Sequence, residues 1–252
     1  MRKLILIPLI ALQTMLYSQE KVNLSHVIES GNFIEVSLEL ENKPSDKFHL
    51  IKIDTMTVST SANEVLKNNA DVQNIFRRAN VLARYNLPSK GSKTVDVKGT
   101  LKYFIASAQN KSHFKIGRLG TIKKNTNLIT SNSTLYFGII DSGEVEKVFP
   151  DLKLRTGSNG QLEKVDYKTY DLMFAYKTSN TQDIIPLVNG DLEFGYNTLT
   201  LHDPKTKTIY KLVKIKKQMS QTERNDIEIE LLIENENAVR KIPFEFKNVI
   251  IK

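Results

Sequence analysis

In residues 34–41 apolar and polar side chains alternate without a break. Ile34, Val36, Leu38 and Leu40 fall on one parity, and Glu35, Ser37, Glu39 and Glu41 on the other. A period of two puts successive side chains on opposite faces of an extended chain, so the segment can only be a strand with one dry face and one wet face. Residues 227–234 repeat the pattern, with Ile227, Ile229, Leu231 and Ile233 expected to face a core.

The same reasoning predicts strands over residues 50–58, 93–104, 134–140, 162–167, 170–176, 197–202, 208–216 and 240–251. Turn-forming stretches separate them: Glu29-Ser30-Gly31-Asn32, Pro88-Ser89-Lys90-Gly91, Asp141-Ser142-Gly143, Gly157-Ser158-Asn159-Gly160, Asn189-Gly190-Asp191 and Asp203-Pro204-Lys205. Many short strands with frequent turn signals predict an all-β fold of immunoglobulin-like β-sandwich modules. One stretch departs from the period. Ala62 to Arg84 has no proline or glycine, and Val65, Val72, Phe76, Ala79 and Ala83 recur at helical spacing. Ser61 and Glu64 have the spacing of a capping box, so a helical insertion is expected near residues 62–84.

The segments Asn32–Asn42 and Asn225–Asn235 can be laid over one another with their apolar positions in register. Two related modules are therefore expected, over residues 19–130 and 131–252, with the Ser/Asn/Thr-rich stretch 125–134 as the seam.

The chain opens with Arg2 and Lys3, an uncharged apolar run from Leu4 to Leu12, and a small residue, Ser18. That order predicts a signal peptide over residues 1–18 and export to the periplasm or the cell surface. The run is too short to span a bilayer, which needs about 20 residues, so no transmembrane span is expected after cleavage. The chain has no cysteine. Disulfides, lipid attachment through cysteine, and zinc or iron–sulfur sites built on thiolates are therefore excluded.

The formal charge is +8; without Arg2 and Lys3, 34 basic residues face 28 acidic ones, or +6. This balance suits contact with an anionic surface. It is too mixed to point to nucleic acid.

The ending Tyr17-Ser18-Gln19, the run Val97-Lys98-Gly99-Thr100-Leu101-Lys102-Tyr103-Phe104 and the segment Ser112-His113-Phe114-Lys115-Ile116-Gly117 resemble secreted β-sandwich proteins of Bacteroidota-type bacteria. The resemblance covers a small part of the chain and implies no activity. Asp54-Thr55-Met56 matches the short O-glycosylation pattern of those bacteria.

No motif points to catalysis, a cofactor or a metal. The histidines His26, His49, His113 and His202 lie far apart in sequence, and no G-x-S-x-G elbow occurs. His202-Asp203 leads into Pro204 and reads as a strand end entering a turn. Asp141, Glu144, Glu146, Asp151, Asp166 and Asp171 could supply paired carboxylates, but most acids alternate with apolar residues as on a wet strand face. Gly91-Ser92-Lys93-Thr94 lacks the spacing of a phosphate loop. Tyr170, Leu172, Phe174 and Tyr176 share a strand parity, which reads as core before it reads as a sugar platform.

The strongest charge feature is Lys205, Lys207, Lys211, Lys214, Lys216 and Lys217. It predicts either a surface contact with an anionic polymer or another envelope protein, or a hairpin in which Lys214 or Lys216 opposes Glu228 or Glu230. The function expected is an exported, non-catalytic binding, adhesion or structural module of the cell envelope. The alternatives are an accessory carbohydrate-binding module and, behind it, a hydrolase acting on envelope polymer.

Overall fold

The computed structural model describes residues 20–69, 71–89, 91–130, 134–156, 160–177, 182–192, 195–215 and 219–252, leaving aside the side chains of residues 156 and 196. The expected signal peptide, Lys216 and Lys217 lie outside these residues. Within them the protein is predominantly β, built from antiparallel sheets. No helix among the described residues is long and apolar enough to cross a membrane.

The first sheet contains β1 (Val22–Ser30), β2 (Phe33–Leu40), β4 (Asn68–Asn69) and β5 (Asn80–Asn86), in the order β1-β2-β5-β4. The second contains β3 (His49–Thr60), β6 (Thr94–Ile105) and β16 (Val239–Ile250), ordered β16-β6-β3. The two sheets share one apolar core. Ile34, Val36, Leu38 and Leu40 enter it from β2, Val81 and Tyr85 from β5, and Ile51, Val58, Val97 and Leu101 from β3 and β6.

A third sheet has the order β13-β14-β11-β8, from β8 (Tyr136–Ile139), β11 (Leu172–Lys177), β13 (Gly195–His202) and β14 (Ile209–Ile215). A fourth, β12-β15-β7, is built from β7 (His113–Arg118), β12 (Ile184–Val188) and β15 (Glu228–Ile233). These two share a second core. Phe137, Leu172, Phe174 and Val213 meet Ile229, Leu231 and Ile233 there. A separate ribbon pairs β9 (Lys153–Thr156) with β10 (Gln161–Lys164). The helices are short: α1 (Ser142–Val148), α2 (Gln221–Asn225) and one 3-10 turn (Tyr167–Thr169).

Two expectations are corrected here. The stretch 62–84 is not a helix. Val65 makes an isolated bridge to Ser59, residues 68–69 form β4, and residues 80–86 zip onto β2 as β5. Val81, Ala83 and Tyr85 have strand parity and all pack into the first core, whereas Val65 is 67% exposed. Pairing with β2 buries more than a solvent-facing helix could, and it overrides local helix preference. The expected capping box does not form. The Thr60 hydroxyl accepts from Glu64 N, and the Glu64 carboxylate accepts from Ser89 N.

The second correction concerns the hairpin. β14 pairs with β11 and β13, and β15 with β12 and β7, so Lys214 lies opposite Asn197 rather than a glutamate. Backbone pairing also crosses residue 130, because β16 lies against β6 and β7 against β15.

A bulge between Ile53 and Thr55 brings the β3 backbone onto β6. A Cβ at Gly99 would stand 2.0 Å from the Thr55 carbonyl oxygen, so only glycine fits there. Thr55 itself is exposed.

β15 explains how the two sheet pairs join. Its odd residues fill the second core, as the alternation predicts. Its even face, expected to be wet, is exposed at Glu228 but buried from Glu230 onward: Glu230 and, just past the strand, Glu234 are 6% and 4% exposed, and Leu232 is fully buried. Leu232 meets Leu50, Phe76, Phe104 and Leu187 in a third apolar cluster. Fully burying side chains of this size contributes roughly 1.5–3 kcal/mol each.

Four ion pairs surround that cluster. Lys47 Nζ meets Glu230 Oε1, Lys52 Nζ meets Asp183 Oδ2, Arg78 Nη2 meets Asp191 Oδ1, and Lys102 Nζ meets Glu234 Oε1, each at 2.6 Å. Every cation comes from residues 47–102 and every anion from residues 183–234. Lys52 and Lys102 are direct cross-strand partners on β3 and β6. Like charges so placed repel, and Asp183 and Glu234 remove that repulsion. The Asp183 amide also donates to Glu234 Oε2 at 3.3 Å, tying the two acids together.

Candidate ligand-binding cleft

Beside this joint lies a cleft of about 310 Å³. Its first wall is the stretch 74–78, which runs between β4 and β5. Phe76 anchors the stretch by entering the joint core, where its ring lies 5.3 Å from that of Phe104. Arg77 is strapped to β3 by reciprocal backbone bonds with Ile51, both 2.9 Å, and Asn74 Nδ2 donates to the Ile53 carbonyl at 2.8 Å. The strapping fixes where the Arg77 and Arg78 side chains start. Lys52 projects from β3, with its ammonium 5.5 Å from the centre of the Phe76 ring.

The opposite wall comes from β11, β12 and β14. Pro186 can sit in β12 because that strand is an edge of its sheet. Tyr176 and Lys211 lie on adjacent strands, two positions apart in register, because Tyr176 pairs with Ile209. Burial pushes the Tyr176 hydroxyl pKa up, and the Asp183 charge adds to that. Burial pushes the Lys211 ammonium pKa down. The cleft is thus partly desolvated, where a charge–charge contact is stronger than in open water. Lys52, Arg77, Arg78 and Lys211 line it; among the described lining residues Asp183 is the one carboxylate, and Asp191 outside the lining pairs with Arg78.

The lysine series does not form one patch. Lys211 faces the cleft, while Lys214 is on the other face of β14, with its ammonium 5.4 Å from the centre of the Tyr170 ring. Lys205 and Lys207 are exposed on the turn after β13. Of the described lysines in the series, only Lys211 joins the site. Lys52, Arg77 and Arg78 carried no sequence signal, since the first lies within a strand and the others within the expected helix.

Two other hollows are less suited to a charged ligand. One of about 400 Å³ surrounds Glu230. Burial pushes the Glu230 carboxyl pKa up, but hydrogen bonds from Lys47 and His113 outweigh it and hold the group below its ordinary value. His113 Nε2 lies 2.6 Å from Glu230 Oε2 and must donate, because a carboxylate can only accept. The lining, including Phe48, Lys115, Arg118 and Glu228, contains no serine or threonine hydroxyl to serve as a nucleophile. The other, of about 900 Å³, is an open groove along the edge of β16, where Arg240 pairs with Glu20 and Lys241 with Asp54.

The aromatic parity set is largely core. Leu172 and Phe174 are buried, Tyr176 packs on the second core, and Tyr170 packs on the opposite face of the sheet. Among the described residues, no group of three or more His, Asp or Glu side chains could hold a metal ion. No protein family, curated protein or solved structure matches the chain.

Proposed function

We propose that the protein is an exported, non-catalytic binding module of the cell envelope, and that its cleft takes an anionic group of an envelope polymer. The observation that carries this reading is the lining: Lys52, Arg77, Arg78 and Lys211 converge in a confined space, where Asp183 is the one lining carboxylate among the described residues and Asp191, just outside the lining, holds Arg78. Arginine forks match planar oxyanions in a way that a diffuse basic surface does not. The volume lies at the lower end of the range for small-ligand sites, enough for one charged unit of a longer chain.

The signal-like residues 1–18 and the resemblance to secreted Bacteroidota-type proteins support the export part of the proposal. Two sheet pairs, each closed on its own core, support immunoglobulin-like sandwich modules as the finer description of the fold.

The test is sedimentation or affinity capture of residues 19–252 with envelope glycan fractions, with and without Arg77→Gln. Retention by anionic fractions that falls with the variant and with added salt is expected. Retention by neutral glycans alone would overturn the anionic reading in favour of an accessory carbohydrate-binding module.

A further inference from the structure

We infer that Asp183 is a resident competitor in the cleft, and that the ligand which replaces it on Lys52 is a phosphomonoester rather than a carboxylate. The inference rests on the anion-binding reading above and adds the ligand class and its control.

Lys52 and Lys102 oppose one another across β3 and β6. The Lys52 side chain is only 19% exposed and faces Lys102 across the strands, so a counter-anion beside it is favoured. Asp183 supplies one at 2.6 Å. Its side chain is more open than the lysine it serves, at 35%, and it stands just before β12, where it can turn away towards water. Its backbone amide stays fixed to Glu234 in either position.

An incoming carboxylate would exchange one single charge for another and gain little. A phosphomonoester carries about −1.5 to −2 at neutral pH and three acceptor oxygens. It can hold Lys52 in place of Asp183 and still offer oxygens to the guanidinium of Arg77 on the same wall, while Arg78 stays paired with Asp191. The apolar side chains beneath, Phe76, Pro186 and Leu192, would take the unit that carries the phosphate. That unit could be a phosphorylated sugar or a lipid headgroup, since the phosphoryl chemistry is common to both.

Calorimetric titration of the mature chain with inorganic phosphate and with acetate, at constant ionic strength, tests the class. Phosphate is expected to bind at least about tenfold more tightly than acetate. Asp183→Asn, which keeps the backbone bond but removes the competing charge, is expected to tighten phosphate about tenfold. Asp183→Ser serves as a second variant, with circular dichroism confirming that each variant folds. Equal affinity for phosphate and acetate, or no tightening in either folded variant, would overturn the inference and leave the anion-binding reading standing. Failure of both anions to bind the wild type and the variants would overturn that reading as well. Binding of glucose 6-phosphate, compared with phosphatidylcholine vesicles containing phosphatidic acid, separates a sugar source from a lipid one.

Discussion

Replacing Glu230 by glutamine keeps the shape of the side chain and removes its charge. In the wild type its two oxygens accept from Lys47 Nζ and His113 Nε2, both at 2.6 Å. Hydrogen bonds to a charged partner contribute about 1.5–3 kcal/mol, against about 0.5–1.5 for neutral ones. The loss is therefore about 1 kcal/mol for each bond, or about 2 in all. Lys47 is the more open of the two partners and can swing towards water, which keeps the figure at the low end. His113 has no such escape. The pH dependence has a definite sign. Because the Glu230 pKa is depressed in the folded state, its stabilisation is complete above the ordinary value of 4.5 and is lost as pH falls through the lower folded value. Urea unfolding of both proteins, near pH 7 and at several values below about 4.5, measures the gap. About 2 kcal/mol near neutrality, narrowing in acid, is expected. A gap below about 0.5 kcal/mol near neutrality, or one that does not narrow, would refute the reasoning.

Three further outcomes follow from the packing. Gly99→Ala drives a methyl into the Thr55 carbonyl and should cost about 2 kcal/mol, seen as a lowered thermal midpoint; an unchanged midpoint would mean the bulge relaxes freely. Leu232→Ala removes a fully buried side chain from the joint and should cost about 3 kcal/mol in denaturant unfolding. Neutralising Lys205 and Lys207 together should change phosphate affinity by less than about twofold, whereas Arg77→Gln should weaken it about tenfold in the same titration.

Alternation made much of the fold legible. β8, β14 and β15 fall within expected strands, and β2, β3, β6, β11, β13 and β16 match theirs to within two residues at each end, because each has a dry face that period two reveals. β12 was missed because Pro186 interrupts an apolar run too short to arbitrate, and only its edge position makes that proline acceptable. The spacing S-x-x-E occurs twice with opposite outcomes. At Ser220 and Glu223 both arms of the capping box form on α2, whereas Glu64 is drawn off to Ser89. Local chemistry was the same, and the surrounding pairing decided.

The site was less legible than the fold. Glu230 and Glu234 looked solvated because their partners, Lys47 and Lys102, stand more than a hundred residues away in sequence. One clue was present. Leu232 breaks the polar parity of its strand at the point where the second sheet pair meets the first. The lysine series pointed to Lys211, but Arg77 and Arg78 come from a segment whose apolar spacing suggested a helix, and Lys52 from a strand with nothing to mark it.

Backbone amide NMR of residues 19–252 during titration with inorganic phosphate locates the anion site. Shifts concentrated at Ile75 to Arg78, Ile184, Ile185 and Lys211 are expected. Shifts scattered over Lys205, Lys207 and other exposed lysines, or none at all, would contradict that placement.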